Sequence, residues 1–116
     1  MNKFKKEHSL KNRQEESSRI LSKYEHRVPL IVLKDSKSKL PDIDKYKFLA
    51  PYDITLGQFM YVVRKRINID DTESLFFFVN DNVLVNTSES MINVYESNKD
   101  EDGFLYLTYC SENVFG

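Results

Sequence analysis

The chain has one cysteine, three glycines, three prolines and no tryptophan among its 116 residues. A single thiol, Cys110, excludes an internal disulfide. At the end of an apolar run it reads as a buried, inert side chain. No apolar stretch approaches the roughly 18 residues of a membrane-spanning helix. No signal segment opens the chain, so the expectation is a cytosolic or nuclear protein. The two histidines, His8 and His26, lie in charged segments expected to be exposed, and neither stands at a metal-ligand spacing. Without a nucleophile–base arrangement as well, neither an enzyme nor a metal or cofactor site is expected. A net charge of −1 supplies no overall field for nucleic acid. Internal repeats and low-complexity segments are absent.

What is present suits one soluble domain. Hydrophobic residues make up 41% and charged residues 30%, enough for a single core under a solvated surface. Charge is unevenly spread. Lys and Arg crowd the N-terminal segment, "RKR" (Arg64 to Arg66) forms a second basic knot, and "DED" (Asp100 to Asp102) reads as part of a solvated turn. Acidic peptides are therefore plausible partners.

Periodicity and turn chemistry give the element order. Ser9 caps a helix through "LKNRQEESSRILSKY", whose main apolar residues are Leu10, Ile20, Leu21 and Tyr24. These are too few for a core helix, so the segment is expected on the outside of a domain built elsewhere. "VPLIVL" from Val28 reads as a strand buried on both faces, with Pro29 near its start. "KFLAP" (Lys47 to Pro51) is a second strand that Pro51 stops or marks as an edge. Thr55 and Gln58 form a capping box, followed by a stripe of Leu56, Phe59, Met60, Val63 and Ile67. "LFFFV" is another buried strand, "NDN" a turn and "VLV" a short return strand. A short helix after Ser90 presents Met91, Val94 and Tyr95, and "FLYLTYC" is the last strand. A hairpin, a packed helix and a strand returning to the sheet make an α+β domain of β-grasp order.

Within that frame the chain resembles the autophagy ubiquitin-like modifiers of the GABARAP type. The resemblance rests on "SKYEHRVPLIV", "DIDKYKFLAP", "DITLGQFMYVVRKRI", "LFFFVN", "YESNKDEDGFLYLTY" and the closing "SENVFG". These follow the family's order over nearly the whole chain. The resemblance implies an N-terminal extension of two helices over residues 1–26, a ubiquitin-like core over 27–110 and a tail over 111–116. It also implies cytoplasmic protein that moves to autophagosomal or related vesicle membranes once lipidated. Four departures stand out. Ser9 replaces a customary proline, Val85 and Asn86 replace a proline pair, and Ala50 and Val62 are smaller than usual.

Alternation in "DKYKFLAP" sends Lys47 and Leu49 to one face of the second strand and Phe48 and Ala50 to the other. From spacing alone this is a half-buried edge strand, and an open edge can pair with an extended peptide. The resemblance implies two pockets beside that edge. An aromatic pocket uses Glu16, Ile20, Pro29, Lys47, Leu49 and Phe104. An aliphatic pocket uses Phe48, Ala50, Pro51, Ile54, Phe59 and Val62, although Phe59 also suits plain core packing. Basic contacts to acidic neighbours of the peptide are implied for Arg27, Lys45, Lys47, Arg64 and Arg66. The peptides so recognised are aromatic-x-x-aliphatic motifs of cargo receptors and autophagy machinery.

One of the three glycines, Gly116, closes the chain. The resemblance implies that its carboxylate is activated by ubiquitin-like pathway enzymes and passed through thioesters to the amine of phosphatidylethanolamine. Family precursors carry a tail that a cysteine protease removes; here either the chain is made ready to use or a tail has been trimmed. An unconjugated adaptor with the same groove is the alternative reading, and a modifier of proteins is a third.

Overall fold

The computed structural model describes residues 2–80 and 83–111. The order is α1 (Lys3–Glu7), α2 (Leu10–Lys23), β1 (Arg27–Lys34), β2 (Lys47–Pro51), α3 (Leu56–Ile67), β3 (Phe76–Val79), β4 (Val83–Leu84), α4 (Met91–Asn98) and β5 (Leu105–Cys110). The strands form one mixed sheet in the order β2-β1-β5-β3-β4. β1 and β5 are parallel at its centre, and β2 lies antiparallel to β1 at one edge. This is the β-grasp arrangement expected from the element order.

Local chemistry sets the element ends. Ser9, Thr55 and Ser90 each accept a backbone N–H within the first turn of α2, α3 and α4. At Thr55 the reciprocal Gln58 bond completes the capping box. Asn68 ends α3 in the left-handed region at φ 57°. Asn86, one of the two residues at which the resemblance implied prolines, builds its own turn, its Oδ1 accepting the Ser88 N–H at 2.9 Å. The carbonyls of Thr87 and Glu89 then receive the Gly57 and Leu56 N–H groups at 2.9 and 2.8 Å. Two first-turn donors of α3 are thereby satisfied from outside the helix.

A period of two divides the sheet between two cores. Val28, Leu30 and Val32 of β1, Phe48 and Ala50 of β2, and Leu105, Leu107 and Tyr109 of β5 join the α3 and α4 stripes in the main cluster. Ile31, Phe104 and Tyr106 face the other way and meet Phe4 of α1, with Ile20 of α2 packed alongside. β1 is buried on both faces, as its apolar run predicted.

The two N-terminal helices implied by the resemblance are present, and α1 is held by Phe4, which inserts between Phe104 and Tyr106 with ring centroids 5.5 and 6.4 Å away. Several expectations need correction. His8 is half-buried rather than exposed, its ring 4.9 Å from that of Phe4. Leu75 and Phe104 lie just outside the strands assigned to them. The return strand is Val83–Leu84, and both residues are exposed. Asn80 of the "NDN" turn has φ 51°; Asp81 and Asn82 lie outside the described residues.

The largest correction concerns how α2 is held. Leu10, Leu21 and Tyr24 are exposed, and the buried residues of the helix are Arg13 and Ser17. Their partner is Asp102, which is fully buried instead of lying in a solvated turn. Its Oδ2 accepts from Arg13 Nη1 at 2.9 Å and from the Tyr106 hydroxyl, and its Oδ1 accepts the Phe104 N–H at 2.8 Å. The Ser17 hydroxyl donates to the Asp102 carbonyl. Removing either partner of a buried ion pair costs about 3–5 kcal/mol, because a desolvated charge is left alone.

Gly103 makes this approach possible. It sits at φ 89°, where a side chain is strained, and a Cβ there would collide with Ser17 Oγ. Gly103→Ala is expected to lower stability by about 1–3 kcal/mol, with amide exchange rising across α2 while α3 keeps its protection. Unchanged exchange in α2 would contradict this account of its docking.

A second prediction concerns Tyr109, buried in the main core with its hydroxyl donating to the Pro41 carbonyl at 2.7 Å. Burial, aided by the Asp42 charge, pushes its phenol up to about 12. Burial thus favours the neutral form in the folded state. The contribution is fully present below pH about 10 and is lost as pH rises towards 12. Urea midpoints between pH 9 and 12 should therefore fall more steeply for the wild type than for Tyr109→Phe.

Candidate functional site

β2 is an edge strand, and its register decides which groups it offers. Phe48 and Ala50 stand opposite Leu30 and Val28, while Lys47 and Leu49 stand opposite Ile31 and Pro29. The Val32 N–H to Tyr46 carbonyl bond (2.8 Å) and the Tyr52 N–H to His26 carbonyl bond (3.0 Å) fix the phase of the ladder. By antiparallel alternation, Phe48 and Ala50 bond to β1, and the backbone groups of Lys47 and Leu49 face the open edge. Arg27 Nη1 reaches around to donate to the Leu49 carbonyl at 3.1 Å, as an outward-facing acceptor allows. Pro29 and Pro51 fall at positions where no N–H is required.

The side chains of Lys47 and Leu49 face the outer helices. There they line a cleft of about 480 Å³ with Ile20 of α2, Tyr24 at the C-cap of that helix, Phe104, and the basic residues Arg27 and Lys45. Glu16 stands at its α2 wall, and Lys47 Nζ bonds both its carboxylate oxygens at 3.0 and 2.8 Å. The Lys45 ammonium sits 5.1 Å from the centre of the Phe48 ring. Of the aromatic-pocket residues named from sequence, Ile20, Lys47, Leu49 and Phe104 are brought together. Pro29 is buried in β1 opposite Leu49.

The aliphatic set is divided between core and surface. Phe48, Ala50 and Phe59 are buried, with Phe48 and Phe59 packed edge to face at 5.4 Å. Pro51 and Ile54 are half-buried, and Val62 is 45% exposed on α3. An incoming aliphatic group would thus meet Pro51, Ile54 and Val62 first, with the core rings behind them.

The basic residues separate in a similar way. Arg27 and Lys45 are at the cleft. Arg64 Nη1 instead donates to the Asp70 and Glu73 carbonyls at 3.1 and 2.7 Å, and Arg66 Nε pairs with Asp44 at 2.9 Å. Sequence reasoning did not name Tyr24 for the cleft or Arg13 and Asp102 behind it. The "DED" run held the only signal for Asp102, and its composition reads as solvent-exposed. Among the described residues, no cluster of His, Cys, Asp and Glu has a metal-binding arrangement. No helix described is long and apolar enough to cross a membrane.

A β-grasp sheet carrying two outer helices, with a cleft along its open edge, defines a ubiquitin-like protein. Residues 12–116 match the family model described as autophagy protein Atg8 ubiquitin like. Autophagy-related protein 8B of Oryza sativa subsp. japonica is 54% identical over 97% of this chain and 94% of its own length. Autophagy-related protein 8e of Arabidopsis thaliana is 53% identical over 97% and 92%. The crystal structure of Trypanosoma brucei ATG8 superposes with a TM-score of 0.91 at 37% identity, covering 100% of this chain and 99% of that one. Plasmodium falciparum Atg8, in complex with a Plasmodium falciparum Atg3 peptide, gives 0.86 at 36% identity over 97% and 98%. The chain belongs to the Atg8 family, whose members are ubiquitin-like modifiers and not enzymes.

Proposed function

We propose that this protein is joined through Gly116 to phosphatidylethanolamine on autophagosomal membranes and there recruits aromatic-x-x-aliphatic peptides. The observation that carries the groove reading is the open edge of β2, with outward-facing Lys47 and Leu49 lining a basic cleft. A peptide strand would exchange backbone bonds with these two residues, replacing the Arg27 donor at the Leu49 carbonyl. Its aromatic anchor would enter between Ile20 and Phe104, and its aliphatic residue would rest on Pro51, Ile54 and Val62.

Magnitudes favour a moderate affinity. Burying an aromatic anchor removes about 150–250 Å² from water, worth at most ~4–6 kcal/mol. Ordering the peptide offsets part of this, so backbone pairing and the aliphatic contact must supply the rest of the roughly −8 kcal/mol of a micromolar complex. Arg27, Lys45 and Lys47 would add on-rate and selectivity for acidic neighbours more than affinity.

Conjugation rests on the family and on the terminal glycine, which lies outside the described residues. The Gly116 carboxylate would attack ATP to give an acyl-adenylate and pyrophosphate. An enzyme thiolate would then displace AMP, and the lipid amine would finally displace a thiolate to leave an amide. The absence of a Cβ suits glycine to each attack at the acyl carbon. The Plasmodium falciparum relative seen with an Atg3 peptide supports a partner of that kind for this chain. Activating enzyme, motif-bearing cargo receptors and a processing or delipidating cysteine protease complete the proposed partners.

Two experiments test the two halves. Lys47→Glu and Leu49→Ala should each weaken motif-peptide binding by about 1–3 kcal/mol in calorimetry without lowering the melting temperature comparably. Unchanged affinity in both would remove the groove. With conjugation enzymes, ATP and vesicles, deletion of Gly116 should abolish the thioester and the lipid-linked mass while peptide binding persists. Equal conjugation by the deletion would leave the unconjugated adaptor as the better reading.

A further inference from the structure

Between α1 and the far end of β1 lies a second cleft, of about 440 Å³, that this groove does not use. Phe4, Val32, Leu33, Ile43 and Tyr46 supply its apolar walls, and Lys3 and Glu7 of α1 line it as well. The Lys34–Asp42 ion pair, at 2.9 Å, stands at its margin. Tyr46 is 42% exposed, an aromatic ring held at the surface immediately before the open edge begins.

The two clefts share a wall. Lys47 lines the aromatic cleft, yet its Nζ lies 5.3 Å from the Phe4 ring centre and 5.9 Å from that of Tyr46. Phe4 also packs edge to face on Phe104, which lines the aromatic cleft. A side chain in one cleft and a side chain in the other would therefore touch opposite sides of the same few groups.

Strand geometry states which residue of a bound peptide arrives there. The aromatic pocket lies beside Lys47 and Leu49, and the aliphatic pocket lies at and beyond Pro51. An aromatic-x-x-aliphatic peptide must then run parallel to β2, so residues before the aromatic run back past Lys47 towards Tyr46. Side chains repeat on one face every second residue, about 6–7 Å along an extended chain. The residue two places before the anchor thus shares its face and reaches the level of Phe4 and Tyr46. Lys45 and Lys47 flank this path and favour carboxylates at the intervening position.

We infer that the cleft between α1 and β1 is a third subsite of the peptide groove. It takes a large apolar side chain, Leu or aromatic, two residues before the aromatic anchor. α1 is then part of the recognition surface as well as a cover for the sheet. The inference rests on the groove proposed above.

The test uses the full chain and two labelled peptides, Asp-Leu-Asp-Phe-Glu-Glu-Val and the same sequence with Ala replacing Leu. Anisotropy titrations should show the Leu peptide binding roughly fivefold to tenfold tighter to the wild type. Tyr46→Ala, at an exposed site, should reduce that gain below about twofold and leave affinity for the Ala peptide nearly unchanged. Phe4→Ala should also remove the gain, with its melting temperature showing whether the fold is retained. Equal binding of the two peptides to the wild type, or the same gain in Tyr46→Ala, would overturn the third subsite while leaving the groove intact. Binding of neither peptide would overturn both.

Discussion

The carboxylate of Asp102 is the point on which the outer layer of this molecule depends. It is completely buried, and three donors converge on it from α2, from β5 and from the backbone at Phe104. A buried ion pair is seldom a large net source of stability, because desolvation offsets most of the attraction. Its effect here is positional. Arg13 is neutralised and hydrogen-bonded at Asp102, which sets the register in which α2 docks. Ile20 and Glu16 then stand over Leu49 and Lys47. Gly103 allows the close approach, and Ser17 uses it to reach the Asp102 carbonyl.

With α2 fixed, the edge of β2 becomes a lined groove. Phe104 faces the outer layer because β5 alternates, and the same alternation sends Leu105 and Leu107 into the main core. Lys47 joins three elements, pairing with Glu16 of α2 and lying over the Phe4 ring of α1. The exposed cations near the groove have local partners already, so an acidic peptide would exchange contacts as well as add them. Exposed pairs of this kind are worth roughly 0–1 kcal/mol each, which makes the exchange inexpensive.

Much of the fold was legible in the residues. The α3 stripe, its capping box and the doubly buried β1 all follow from periodicity and cap chemistry, and the structure reproduces them. The alternation of "KFLAP" foretold which side chains leave the core, and Pro51 foretold an edge. α1 was not legible from its composition. A short lysine-rich helix has almost no intrinsic stability, and it persists because Phe4 finds an aromatic cluster drawn from distant residues. The outer position of α2 was legible from its few apolar residues, but its anchoring was not, because its buried face carries Arg13 and Ser17.

The aromatic cleft shows the same division. Leu49, Lys47 and Phe104 were indicated by pattern and resemblance, and the structure gathers them with Ile20 into one cavity. Tyr24 and the neighbouring cleft at Phe4 and Tyr46 had no such signal. Sequence by itself determined the strands, the apolar stripe of α3 and the open edge, because hydrogen-bond periodicity and side-chain alternation act between near neighbours. Only the tertiary structure decided that Asp102 is an interior anchor, that Arg64 and Arg66 serve loops, and that Lys47 divides two clefts. Each of those outcomes depends on which charge reaches which partner across many residues, and the energies involved are set by burial that no local pattern encodes.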